Sequence, residues 1–151
     1  DCIVEFISGN KTIVFGSSWQ AEEKIAEEIS EKHKNVKLII APHDLKRVEN
    51  LKEIFPDALL YSNLKTTQTL KLSNCQTLII DSIGLLSKLY SYSDIAVVGG
   101  GFHDSGLHNI LEAATFGVPV VFGNHYKKNP EADDLIKSEG GKFFENEKRA
   151  S

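Results

Sequence analysis

Six short apolar runs alternate with amphipathic stretches along the chain, and this alternation is what most constrains its fold. Each run is almost continuously apolar, and together they span residues 12–15, 36–41, 58–61, 77–80, 95–98 and 119–122. Continuous apolar runs of this length are typical of parallel strands that are covered on both faces. The pattern therefore predicts a six-stranded, mostly parallel sheet.

The stretches between the runs have the period of helices. Over residues 19–33, for example, Ala21, Ile25 and Ile29 recur at helical spacing, which predicts an amphipathic helix. Further helices are predicted over residues 45–55, 83–92, 108–116 and 132–138, and residues 62–76 are interpreted as a polar connector. The alternating order predicts an α/β, Rossmann-like doubly wound domain with helices on both faces.

Length and composition favour one globular domain. The chain has 151 residues, of which 41% are hydrophobic and 25% charged, as is usual for a single domain. The net charge of −4 argues against a large nucleic-acid-binding face. No apolar run approaches the roughly 20 residues that cross a bilayer. Cys2 and Cys75 lie far apart without metal-ligand spacing, so we expect reduced thiols in a soluble, cytosolic domain.

A glycine-rich loop follows the fifth predicted strand. The run at 95–98 leads into Gly99-Gly100-Gly101, and a helix is predicted to begin near His108 and Asn109. Ligands of doubly wound sheets bind at the carboxyl ends of the strands. Glycines allow the backbone to approach such a ligand closely, and the free amides of a new helix suit a phosphate.

Glu112 completes the predicted nucleotide site. It lies three residues after Asn109, so both share one helix face. A carboxylate in this place can accept two hydrogen bonds from a vicinal diol such as a ribose. The alternative is a tight strand–helix turn in which Glu112 only complements the helix dipole.

This stretch resembles the donor-binding domain of GT-B glycosyltransferases and, within that class, the 3-deoxy-D-manno-octulosonic acid (Kdo) transferases. Residues 107–112 read Leu-His-Asn-Ile-Leu-Glu, which is similar to the most specific motif of that family. Residues 94–100, 117–120 and 122–125 are similar to the segments on either side of it. Residues 16–19 with Glu22 and Glu23 are similar to the first strand–helix loop of the family.

Three positions depart from the family pattern. Leu107 stands where glycine is usual, and Ala113 stands where proline is common. A Pro-Arg-His segment after the second strand is replaced by Pro-His-Asp at residues 42–44. The arginine contact to the nucleotide is therefore either lost or taken over by His43.

The resemblance implies the C-terminal half of a GT-B enzyme with CMP-Kdo as donor. The full-length enzyme is expected to transfer Kdo, with inversion, to a lipid A precursor in lipopolysaccharide biosynthesis at the cytoplasmic face of the bacterial inner membrane. Its catalytic carboxylate is expected in an N-terminal acceptor domain outside this chain, so no catalytic residue is predicted here and the chain alone is expected to be inactive. No metal or other cofactor is expected, because a helix N-terminus can neutralise one phosphate and no Asp-x-Asp motif occurs.

The predicted donor-binding residues lie in four loops. Ser17 and Ser18 are candidates for contacts to phosphate or to the sugar carboxylate, with helix N-capping as the alternative. Ile83 is a candidate for stacking on cytosine, with a place in the core as the alternative, and Gly84 for close approach of the ligand. His108 is expected to order its loop through hydrogen bonds. The complete set is Ser17, Ser18, His43, Ile83, Gly84, Gly100, Gly101, His108, Asn109 and Glu112.

Two other functions stay open at this point. The domain could belong to a different GT-B enzyme, such as a UDP-sugar transferase or epimerase, or it could be a stand-alone Rossmann-like nucleotide-binding module. The His-Asn-x-Leu-Glu motif favours the Kdo transferases over both.

Overall fold

Parallel strands form one sheet in the computed structural model, which describes residues 1–100, 111–123, 135–137 and 140–144. In these residues the strands are β1 Thr12–Ser18, β2 Lys37–Pro42, β3 Leu59–Leu60, β4 Thr77–Ile79, β5 Ile95–Val98, β6 Val120–Gly123 and β7 Gly141–Phe144. Their order across the sheet is β3-β4-β2-β1-β5-β6-β7, and every pair of neighbours is parallel.

The predicted α/β class and parallel sheet are confirmed, and all six apolar runs are strands. The predicted number of strands is wrong by one, because β7 adds a seventh strand beside β6. Its sequence, Gly-Lys-Phe-Phe, follows Gly140 and contains only two large apolar side chains. Such a short run carries too little pattern to be recognised as a strand.

The described helices differ from the predicted ones mainly at their ends. They are α1 Cys2–Ile7, α2 Gln20–Lys32, α3 Val48–Ile54, α4 Thr69–Asn74, α5 Leu86–Tyr90 and α6 Leu111–Ala114. Two 3-10 segments, Leu45–Arg47 and Tyr61–Thr66, precede α3 and α4. Of the fifth predicted helix, residues 135–137 are described and are helical.

The interpretation of residues 62–76 as a connector is wrong, and α1 was not predicted. Both regions contribute to the core, since Leu64 and Leu72 are buried in one apolar cluster with Ile3 and Phe6. Packing between α1 and α4 therefore stabilises helices that are too short and too polar to be recognised by their periodicity.

Helices cover both faces of the sheet, as expected for a doubly wound fold. One face packs against α1, α4, α5 and α6, with Phe6, Leu89 and Ala113 in its core. The other face packs against α2 and α3, with Ile25 and Leu51 in its core. The helices after β1 and β5 thus lie on opposite faces of the sheet.

Lys37 is buried at the start of β2, with 5% of its surface exposed. Its amino group donates to the carbonyl oxygen of Ser73 at 2.7 Å and to that of Cys75, and it lies 4.8 Å from the centre of the Phe6 ring. Burial lowers the pKa of Lys37. Carbonyls at the end of α4 and the aromatic ring replace part of its hydration.

Within the described part of the chain, no helix is long and apolar enough to cross a membrane. Nor does that part contain a cluster of three or more His, Cys, Asp or Glu side chains placed to hold a metal ion. Cys2 and Cys75 are both free thiols.

Candidate functional site

Strands that follow β1 are first added on one side of it, and from β5 onward they are added on the other side. This reversal between β1 and β5 is a topological switch point. Strands β2, β4 and β3 lie on one side of β1, and β5, β6 and β7 lie on the other. The chain leaves β1 for α2 on one face and leaves β5 for α6 on the other face. Open α/β sheets bind ligands at the carboxyl ends of the strands at such a switch point.

The loops that leave β1 and β5 are packed backbone to backbone. The Gly99 amide donates to the Gly16 carbonyl at 2.8 Å. A Cβ atom on Gly99 would lie 1.9 Å from the Ser17 carbonyl oxygen, so the contact requires glycine. Ser17 interrupts the strand register and has a φ of +52°, in the left-handed region. A strained serine at a switch point is a common mark of a binding site.

A cleft of about 600 Å³ opens between the loops after β1, β2 and β4. Such a volume accommodates a nucleotide-sized ligand. Four of the predicted site residues line it, namely Ser17, His43, Ile83 and Gly84. The structure therefore brings together the end of β1 and residues from the loops after β2 and β4 at the expected end of the sheet.

Ile83 projects from the turn after β4, with 85% of its surface exposed. The alternative that placed it in the core is therefore wrong. Gly84 beside it has a φ of +89° and open space around its Cα. The turn is anchored by Ser62, whose hydroxyl and amide donate to the Asp81 carboxylate at 2.6 and 3.0 Å.

His43 lies at the edge of the cleft and stacks on Trp19. The two ring centres are 4.2 Å apart and the rings are inclined by 19°. The His43 amide donates to the Ser18 carbonyl at 2.9 Å, which ties the loop after β2 to the loop after β1. Trp19 is half-buried and packs against the His43 ring.

Ser18 points away from the cleft. It is 1% exposed, and its hydroxyl donates to Glu23 at 3.2 Å. The predicted helix capping by Ser17 or Ser18 is wrong, because Trp19 is the N-cap residue of α2 and makes no side-chain capping bond. The helix begins later than predicted since the strand continues through Ser18.

Glu23 forms a buried ion pair beneath the cleft. Arg47, from the 3-10 segment after β2, donates to its two carboxylate oxygens at 2.5 and 2.8 Å. This hydrogen bonding raises the pKa of Arg47. Two parallel bonds from guanidinium to carboxylate make a strong, directional contact, which holds the loop after β2 against α2.

Glu22 is completely buried beside Glu23 but has a different environment. Its Oε1 atom accepts from the Gly100 amide at 2.6 Å, and its Oε2 atom has no hydrogen-bond partner among the described residues. Burial raises the pKa of Glu22 from 4.5 to about 7, although the Gly100 amide favours the ionised form. Repulsion from the neighbouring Glu23 carboxylate contributes to this rise of the pKa.

From the sequence, Glu22 and Glu23 were recognised only as part of the segment that is similar to the first strand–helix loop of the family. Both occupy the first turn of an amphipathic helix, where acidic residues are common. Nothing in that pattern indicates that α2 would press this turn against the loops after β1 and β5. The family resemblance of the loop was the available signal.

Gly100 has a φ of +92°, and its amide is directed to Glu22. Contact with a ligand would therefore use other atoms of this residue. Gly101, His108 and Asn109 lie outside the described residues. Glu112 belongs to α6, but its side chain is also outside the description. Their predicted roles stay predictions.

Comparisons with known proteins place the chain among glycosyltransferases. It is 32% identical over 145 residues to a bifunctional glycosyltransferase/methyltransferase of Fusobacterium nucleatum, covering 93% of this chain and 22% of that protein. It is 33% identical over 135 residues to a 3-deoxy-D-manno-octulosonic acid transferase of Aquifex aeolicus, covering 87% and 37%. No protein-family model matches the chain.

A further relative is the 3-deoxy-D-manno-octulosonic acid transferase of Chlamydia trachomatis serovar D, 31% identical over 142 residues, with 91% of this chain and 33% of the relative covered. The chain thus spans between 22% and 37% of the length of these three relatives.

Among solved structures, the chain matches the C-terminal CMP-Kdo binding domain of WaaA from Acinetobacter baumannii. The TM-score is 0.81 at 23% sequence identity, covering 96% of this chain and 78% of that domain. That similarity establishes the fold, and the relationship to 3-deoxy-D-manno-octulosonic acid transferases rests on the sequence relatives. By sequence the chain is related over most of its own length to 3-deoxy-D-manno-octulosonic acid transferases, and by fold it corresponds to the C-terminal CMP-Kdo binding domain of WaaA.

Proposed function

We propose that this chain is the domain with which a Kdo transferase binds its donor, CMP-Kdo. The observation that carries the proposal is the cleft beside the switch point, at the carboxyl ends of β1, β2 and β4, which Ser17, His43, Ile83 and Gly84 line. It lies where a doubly wound fold binds nucleotides, in a chain whose relatives are Kdo transferases.

The residues of the cleft suit the parts of such a donor. The exposed Ile83 side chain offers an apolar surface to cytosine, and Gly84 leaves room for the base. Ser17 can donate to the phosphate or to the carboxylate of the sugar. His43, which stacks on Trp19, lines the cleft, where its ring can donate a hydrogen bond to the same anionic groups. Glu112 is proposed to accept from the ribose hydroxyls.

The whole protein is proposed to transfer Kdo, with inversion, to a lipid A precursor at the cytoplasmic face of the inner membrane. We place the catalytic carboxylate and the acceptor site in a part of the protein other than these 151 residues, so this chain alone should bind the donor nucleotide without transferring the sugar. No metal is needed in this proposal, because a single phosphate can be held by backbone amides.

Titration calorimetry of the 151-residue chain with CMP, UMP, UDP and NAD tests the proposal. We expect CMP to bind at least tenfold more tightly than the others, a difference of roughly 1.4 kcal/mol. Equal or stronger binding of UDP would favour a UDP-sugar enzyme of the same fold. Binding of NAD alone would favour a stand-alone dinucleotide-binding module.

A further inference from the structure

Two adjacent carboxylates are buried under the switch point, and only one of them is matched by a cation. Glu22 and Glu23 are 0% and 1% exposed. Glu23 is paired with Arg47 and also accepts from Ser18. No ion pair joins Glu22 to a cation in the part of the chain that the structure describes, and its Oε2 atom is unpartnered there.

Among the residues that the structure describes, the surroundings of Glu22 contain little else that could balance a negative charge. On its own helix it faces Glu23, which is also acidic. From the β2 side it is approached by Arg47, whose guanidinium is bonded to Glu23 and lies near Asp44. Among the described residues at the ends of β1 and β5, backbone atoms of Ser17, Gly99 and Gly100 lie beside it. The ionised form of Glu22 is therefore stabilised mainly by hydrogen bonds from the backbone amides of Gly100, Trp19 and Glu22 itself.

We propose that Glu22 is a positioning residue that carries a proton whenever an anionic ligand occupies the switch point, so that binding takes up a proton from water. This inference rests on the proposed function, since it requires that the ligand be a phosphate-bearing nucleotide. The proton resides on Oε2, while Oε1 continues to accept from the Gly100 amide and holds the loop after β5.

The physical reason is charge repulsion inside a poorly hydrated region. Ser17, the proposed contact to the phosphate, lies next to Glu22, because the Ser17 carbonyl oxygen and Glu22 Oε1 are 1.9 and 3.0 Å from the same Cβ position on Gly99. A phosphate bound at Ser17 therefore adds negative charge close to a buried carboxylate, and like charges favour the protonated acid. Burial has already raised the pKa of Glu22 to about 7 without any ligand. A small further push is then enough to keep this acid neutral at physiological pH.

The test is CMP titration at pH 7 and pH 8.5, where the phosphate of CMP is mostly dianionic. If binding requires protonated Glu22, the affinity of the wild-type chain should fall roughly tenfold between these pH values. Glu22→Gln, which is permanently neutral and keeps the acceptor oxygen, should change less than twofold. Glu31→Gln, the same charge change at an exposed position of α2, should behave like the wild type.

Equal pH slopes for the wild type and Glu22→Gln would overturn the inference while leaving the proposed function intact. Absence of CMP binding at every pH would overturn the proposed function and this inference with it. If Glu22→Gln fails to fold, a second measurement on the wild-type protein tests the inference. In wild-type protein with ¹³C-labelled glutamate, the carboxyl resonance that titrates near pH 7 should move to higher pH on CMP addition, and an unmoved midpoint would contradict the inference.

Discussion

The floor and the rim of the candidate site are built in opposite ways. The floor, formed by Gly99, Gly100 and Glu22, is buried and leaves no space for another atom beside Gly99. The rim, formed by His43, Ile83 and Gly84, is exposed and open. The floor therefore sets the geometry of the site, whereas the rim supplies the surfaces that a ligand can touch. In the floor, Gly99 is required because no side chain fits, whereas in the rim Gly84 has open space and is favoured by its positive φ.

The largest expected effect separates these two kinds of glycine. In Gly99→Ala the new Cβ atom would overlap the Ser17 carbonyl oxygen, since the ideal distance is 1.9 Å. The two loops would have to move apart, and we expect a loss of about 3 kcal/mol in the free energy of unfolding. Gly84→Ala, with free space but a φ of +89°, should lose only about 1 kcal/mol. Urea denaturation measures both, and similar losses would remove the distinction between floor and rim.

A smaller effect concerns the pH dependence that Glu22 contributes to stability. Its pKa is about 7 in the folded chain and 4.5 as the reference, so the folded state holds the proton more tightly. The contribution of Glu22 to the free energy of unfolding is therefore fully present below pH 4.5 and is lost as pH rises through 7. Between pH 5 and pH 7.5 the wild type should lose about 2 kcal/mol relative to Glu22→Gln. Parallel pH–stability curves for the two proteins would show that Glu22 is not perturbed.

The smallest effect on stability is expected at the rim. Ile83→Ala should change the free energy of unfolding by less than about 0.5 kcal/mol, because the side chain is 85% exposed. It should nevertheless weaken CMP binding about fivefold, because roughly 1 kcal/mol of apolar contact with the base is lost. Leu70→Ala, which removes another exposed apolar side chain at 71% exposure on α4, is the matched control and should leave CMP affinity unchanged. If the wild type, Ile83→Ala and Leu70→Ala bound CMP with equal affinity, the cytosine base would not contact Ile83.

The sequence predicted the sheet well because each of its six apolar runs is continuous enough to require cover on both faces. It did not predict α1 or α4, whose stability comes from packing Phe6 and Leu72 into one cluster. At the site, the position of Ile83 after a strand predicted its place at the binding end of the sheet, but its exposure stayed open, because a place in the core was the alternative. The burial of Glu22 could not, because it depends on where α2 lies relative to a loop that follows some 77 residues later, at Gly99.

The central position of β1 has a consequence for the order in which the domain can assemble. Strands β1, β2, β3 and β4 all lie within the first 79 residues, whereas β5, which completes the floor, begins at Ile95. The Thr12 amide donates to Asp94, 82 residues away along the chain. Closing so long a loop costs entropy before the contact stabilises anything. We therefore expect a growing chain to form half of the sheet while the site does not yet exist, and the binding geometry to appear only when β5 docks.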